Sequence, residues 1–160
     1  MGNGLSLTQQ GIKPIAGQAA FLPNQPIIHN CVVDSSASAA LVPGDAVAFA
    51  STSLTNLTVV DKAAATATPI GVVVYNGIKS KFEANDRVSI YPVNSFVYLP
   101  AGAADLTNGT TVKFNASGQV VAASASTSVV GYIGILWTQP AAVGDLVAVQ
   151  IAPGAFPAGE

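Results

Sequence analysis

Three turn-plus-strand segments recur, in the same order, along this chain. GDAVAF (44–49) aligns with GTTVKF (109–114), IGVVVY (70–75) with IGILWT (133–138), and NDRVSI (85–90) with GDLVAV (144–149). One such match carries no weight, because a turn followed by a strand is generic. Three in series predict two similar β units packed together, spanning about 41–92 and 106–151. Between these anchors the pattern is the same throughout. Short runs rich in Val, Ile, Thr, Tyr and Phe are separated by Gly, Pro, Asn and Asp, which is the signature of a sandwich or barrel. Strands are expected near 27–33, 46–50, 57–61, 70–76, 87–91, 95–99, 111–115, 119–122, 131–138 and 145–151.

Within these runs the side chains alternate. In TVKFN, Val112 and Phe114 take one face and Thr111, Lys113 and Asn115 the other. In RVSIY, Val88 and Ile90 point inward while Arg87, Ser89 and Tyr91 point outward. Asn76-Gly77 and Asn108-Gly109 read as tight turns, since both residue types tolerate positive φ. Asn115-Ala116-Ser117-Gly118 reads as a four-residue hairpin loop. No dozen-residue segment carries helical spacing; DSSASAA (34–40) and DKAAATATP (61–69) could each hold one short turn of helix.

The fold expected is therefore all-β, an antiparallel barrel or sandwich that includes the jelly roll among its alternatives, with an extended N-terminal arm. Residues 1–26 form that arm, 27–152 a single β domain built of the two units, and 153–160 a short tail. The arm carries Pro14, Pro23 and Pro26 and no clean periodicity, so neither helix nor central strand suits it. It is not purely polar, because Leu5, Leu7, Ile12, Ile15, Phe21 and Leu22 are dispersed along it. These six are the candidate partner-binding residues, anchors for a segment tied down on its own chain or on a neighbour.

Composition limits the chemistry. Half the residues are apolar and only 9% are charged, against about 25% in ordinary soluble domains. Disorder is excluded by the apolar content. A surface so poor in charge has little to oppose association, which points to life in an assembly. Net charge is −2 with six scattered basic residues, so no basic face for nucleic acid can be built. No basic amphipathic stretch suits a membrane surface, and the most apolar run, VVGYIGILW (129–137), falls far short of the roughly 20 residues of a spanning helix. The first ten residues match neither half of a secretory leader. Gly2 and Ser6 fit the acylation pattern, a weak match.

Catalysis finds little footing. The single histidine, His29, and the single cysteine, Cys31, would share one face of a regular strand, so a Cys–His pair is geometrically conceivable. The plainer expectation is a buried small Cys31 and a surface or hydrogen-bonded His29. Asp45, Asp86 and Asp145 each follow Gly or Asn and open a strand, which is how Asp serves turns, bonding backbone amides just ahead. A shared Ca²⁺ site is the lesser alternative. Neither phosphate-loop pattern occurs. Three sequons, at Asn56, Asn108 and Asn115, fall where Asn and Thr are common in turns. Trp137, inside an apolar strand, is expected in the core or a subunit interface. No catalytic residue, cofactor or metal site is expected, and the chain reads as a non-enzyme.

The ordered series VPGDAVAF (42–49), TPIGVVVYN (68–76), NDRVSIYP (85–92), VYLPAGAADLTNGTTVKFNASGQVVAA (97–123), VVGYIGILW (129–137) and GDLVAVQI (144–151) resembles the small cement, or decoration, proteins of tailed bacteriophages. The likeness covers about 41–151 and leaves 1–40 outside it. It implies a structural protein made in the bacterial cytoplasm and bound to the outside of a phage head. There it would bridge major capsid subunits, as a trimer or dimer, without cofactor, nucleic acid or membrane. On that view the arm reaches a neighbouring subunit or the capsid floor. The alternatives are another virion β-module, such as a tail or spike receptor-binding domain, a bacterial surface subunit, or a small β-barrel enzyme.

Overall fold

The computed structural model describes residues 14–22, 24–51, 54, 56–64, 67–125 and 133–152. Among these there is no helix: DSSASAA (34–40) forms turns and bends, while in DKAAATATP (61–69) Asp61 and Lys62 belong to a strand and 65–66 lie outside the described residues. Five strands, β1 (Ile28–Val33), β2 (Ala46–Phe49), β3 (Val59–Lys62), β4 (Gly71–Val73) and β5 (Arg87–Pro92), close into a barrel in the order β1-β3-β2-β4-β5. Five more, β6 (Phe96–Pro100), β7 (Thr111–Phe114), β8 (Val120–Ala122), β9 (Gly134–Leu136) and β10 (Leu146–Ile151), make a sheet in the order β6-β10-β9-β7-β8. Of the architectures left open by the sequence, the chain adopts a barrel and a sheet side by side. One pairing, β1 with β3, is parallel rather than antiparallel.

The two sets of strands are the same structure twice. Matching β1 to β6, β2 to β7, β3 to β8, β4 to β9 and β5 to β10 reproduces both the neighbour order and the register. Val47 stands opposite Gly71 and Lys62, and its counterpart Val112 stands opposite Gly134 and Ala122. Gly71 stands opposite Pro92, and Gly134 opposite Ile151. Cys31 faces Val88, and Leu99 faces Val147. Even the parallel seam has its echo: Val33 pairs with Val60 in the barrel, and Ala101 makes a parallel bridge to Val120 in the sheet. The matching units run from 28 to 92 and from 96 to 151, each one strand longer than the repeat visible in the sequence.

Turn chemistry is repeated too. Asp45, Asp86 and Asp145 each follow a residue with positive φ, Gly44 (93°), Asn85 (67°) and Gly144 (90°). Each carboxylate accepts the amide three residues earlier in the chain, from Val42 (2.9 Å), Glu83 (2.6 Å) and Ala142 (2.8 Å). Such bonds close the turn that aims the next strand. In the two Asn-Gly pairs only the glycines, Gly77 and Gly109, have positive φ.

Packing follows the repeat. The barrel interior holds Cys31, Val33, Val47, Val60, Val73, Val88 and Ile90, all buried. Their counterparts Leu99, Ala101, Val112, Val120, Leu136, Val147 and Val149 are equally buried within the second unit. The second cluster reaches further, because it also takes in Ala46, Ala48, Val72 and Tyr91 from the barrel's outside. Tyr91 does point away from the barrel, as its alternation requires, yet it is buried because the second unit lies over it. Burial pushes the Tyr91 phenol above its ordinary pKa, partly offset by a bond with the Ala19 backbone. Burial of a side chain the size of Val72 contributes about 1.5–3 kcal/mol, so the contact between units is part of the core.

Candidate docking surface

The segment before β1 is tied down on its own chain. The Gly17 amide donates to Tyr98 O at 2.9 Å, Tyr98 N to Gln18 O at 2.9 Å, and Ala20 N to Phe96 O at 2.8 Å. These bonds add a short antiparallel strip to β6, covering a sheet edge that would otherwise present unpaired backbone. The buried side chain of Gln25 extends the strip: its Nε2 donates to Phe96 O at 2.7 Å, and its Oε1 accepts the Phe96 amide. Gly17 also accepts from Tyr75 N at 2.8 Å, so this one residue is bonded to both units. A Cβ there would stand 2.6 Å from Val73 O and 2.7 Å from Gly44 N. Only glycine permits that approach.

Of the six candidate anchors, Leu5, Leu7 and Ile12 lie outside the described residues. Ile15, Phe21 and Leu22 are described, and all three are exposed. Phe21 has φ 59°, a conformation costly for a bulky side chain, and the Leu22 amide closes a three-residue turn onto Ala20 O at 2.6 Å. The strained turn throws the Phe21 ring against two others. Its centroid lies 5.8 Å from Phe96 and 6.4 Å from Trp137, and Phe96 lies 5.4 Å from Trp137, all edge-to-face. Together with Leu22 these rings line an open hollow of about 320 Å³. Trp137 Nε1 donates to Gln150 Oε1 at 3.2 Å, which fixes the indole. Trp137 is 49% exposed and Phe21 51%, so the largest aromatic group sits at the surface rather than in the core.

The outward side of β5 on the first unit is polar at two positions. Outward positions Leu146 and Ala148 on β10 correspond to Arg87 and Ser89 on β5. There Ser89 Oγ lies 3.0 Å from His29 Nδ1, and Arg87 Nη1 donates to Asn30 Oδ1 at 3.3 Å. A β-bulge between Ile28 and Cys31, with Asn30 at φ 62°, makes this possible and overturns the expectation that His29 and Cys31 share a face. His29 turns out to solvent, whereas Cys31 is wholly buried with its thiol pushed above its ordinary pKa by burial. A Cys–His pair is therefore excluded.

The sequence does not single out Phe96, and it puts Trp137 in the core or a subunit interface without counting it among the anchors. The signal available was the repeat itself: Trp137 aligns with Val74, an apolar residue that is buried, and an oversized exposed substitute at a matched position marks a changed surface. A second apolar projection lies on the first unit. Phe49 is 69% exposed, and Leu54 and Leu57 pair across a turn just beyond it. A cleft of about 190 Å³ between the units is lined in part by Asp45, Lys62 and Phe114, and its two charges already face each other at 2.9 Å. Among the described residues no three His, Cys, Asp or Glu side chains are grouped to hold a metal ion. Among them no helix is long and apolar enough to cross a membrane.

No family model and no curated protein matches this chain.

Proposed function

We propose that this chain is a non-enzymatic virion protein that cements a phage head from outside, bridging major capsid subunits as a homo-oligomer. The observation that carries the reading is the aromatic hollow of Phe21, Leu22, Phe96 and Trp137. It lies on a backbone-satisfied scaffold, and Trp137 stands exposed at the position where the sister unit has the buried Val74. Exposed aromatic clusters of this kind supply most of the energy at protein interfaces, since rings bury large area at little entropic cost. The sparse charge of the chain and the family resemblance of residues 41–151 point the same way. Weak contacts repeated around a symmetric shell add up to stable decoration.

The test is electron cryo-microscopy of heads from the phage that encodes the chain, stripped of it and re-incubated with purified protein. Regular surface density is expected with the unaltered chain. Trp137→Ser combined with Phe21→Ala should abolish that density while leaving the β circular dichroism intact. Heads that stay bare with the unaltered protein would refute the reading.

A further inference from the structure

We infer that the aromatic hollow of one copy receives the Phe49 end of the barrel of a second copy, joining the chains head to tail. This rests on the homo-oligomer of the proposed function, and it names the two surfaces that build it.

The molecule already contains one contact of this kind, between its own units. On the outer face of the first unit, Val72, Val74 and Tyr91 are buried in the cluster that takes in both units. From the second unit the β7–β8 end reaches that face. There Phe114 and Asn115 line the cleft between the units together with Ala46 and Ala63, and Phe114 is buried in the same shared cluster.

Each half of this contact has a twin, and the described residues leave both twins open. Val72, Val74 and Tyr91 correspond to Ile135, Trp137 and Gln150, where Trp137 stands exposed. Phe114 corresponds to Phe49, since the one faces Val120 and the other Val60 at the same register. Phe114 is buried, whereas Phe49 is exposed. A face and an end that pack together inside the chain thus recur unpaired, one on each unit.

Shape and chemistry agree. The hollow is a concavity lined by Phe21, Leu22, Phe96 and Trp137, none of them charged. The Phe49 end is a projection, where Leu54 and Leu57 bridge across a turn and both are exposed. The connection that carries them, 50–58, is longer than its twin 115–119 and holds no charged residue. Phe49 seated on Trp137 continues the edge-to-face arrangement of the three rings already there. An aromatic side chain buries about 150–250 Å², so this contact falls below the roughly 800 Å² per partner of a stable pair. Association is therefore concentration-dependent. Because the two surfaces differ, joining them leaves one of each free, and the series closes into a ring or runs on as a filament.

Mass is to be measured by sedimentation velocity over a range of protein concentration. The samples are the unaltered chain, Phe49→Ser, Trp137→Ser and an equimolar mixture of the two variants. Both replaced side chains are exposed, so the β circular dichroism should stay unchanged. The unaltered chain is expected to grow beyond a dimer as concentration rises. Either substitution should weaken self-association about thirtyfold, as loss of a central interface anchor does. The mixture should recover a dimer and nothing larger, because Trp137→Ser keeps the projection and Phe49→Ser keeps the hollow. Trp137 is the sole tryptophan, so its emission should shift to the blue as the unaltered chain or the mixture associates. Self-association that survives Phe49→Ser would overturn the inference, and so would a mixture that stays monomeric. An unaltered chain that is monomeric at every concentration would overturn it as well. Decoration of heads by such a monomer would leave the hollow to the capsid and the cementing role standing. Heads left bare by a chain that assembles as expected would sink the cementing role alone.

Discussion

The two halves of this molecule share an interior and differ in their outsides. Inside, Val47 and Val112, or Val88 and Val147, occupy matched places with matched burial. Outside, Arg87 and Ser89 on the first unit give way to Leu146 and Ala148 on the second, and the buried Val74 gives way to the exposed Trp137. The connections differ as well. Residues 50–58 link β2 to β3, and carry exposed Leu54 and Leu57, where 115–119 suffice between β7 and β8. Interior positions are fixed by close packing, which punishes any change of volume. Exterior positions are free to diverge, so differences between twins concentrate where each unit meets something else.

The largest expected effect tests how far the twinning extends into backbone spacing. Gly71 and Gly134 hold the same register position, and both lie against a carbonyl of the neighbouring strand. A Cβ at Gly134 would stand 1.8 Å from Gln150 O, and at Gly71 2.4 Å from Tyr91 O. Overpacking of this kind costs about 1–3 kcal/mol or more. Gly134→Ala should therefore lower stability by about 3 kcal/mol and Gly71→Ala by about 2 kcal/mol, read from urea midpoints. Losses in the reverse order would break the comparison.

A smaller effect isolates the strained turn that has no counterpart in the first unit. Phe21→Ala removes the ring but keeps a side chain at positive φ, whereas Phe21→Gly also relaxes the backbone. The glycine variant should be the more stable of the two by about 1 kcal/mol. Equal stabilities in thermal unfolding would mean that the turn is not held under strain.

The smallest effect concerns acid. Lys79, on the longer β4–β5 connection, donates to Asp86 and, with the Glu83 amide, holds its carboxyl below the ordinary value of 3.8. A carboxyl depressed on folding stabilises the protein above the unfolded value, and that contribution fades as pH falls through the folded one. Asp86→Asn should flatten the acid limb of the stability curve slightly, and Lys79→Met should do the same. An unaltered limb in both variants would remove the pair from the comparison.

Much of this was legible in the chain. Alternation in TVKFN and RVSIY located strands because a half-buried sheet demands a period of two. The order GDAVAF, IGVVVY, NDRVSI against its later copy announced the two units. What escaped was whatever depends on partners distant in sequence. The parallel seam between β1 and β3 leaves no periodic trace. The bulge at Asn30 turns His29 away from Cys31 by a backbone choice that a strand pattern cannot reveal. Tyr91 faces outward by alternation yet is buried, because burial was decided by the second unit. Phe96 and Trp137 meet only through the β6–β10–β9 pairing, with Phe21 carried to them by the arm.

The double attachment of Gly17 has a mechanical meaning. Its amide is bonded to Tyr98 in one half and its carbonyl to Tyr75 in the other. Tension applied at Pro14 would thus load both halves together, in shear along β6 rather than by peeling one strand from its end. Bonds strained side by side yield together, whereas bonds opened in sequence yield one by one. A tether that enters the fold at this glycine draws on the strength of the whole molecule.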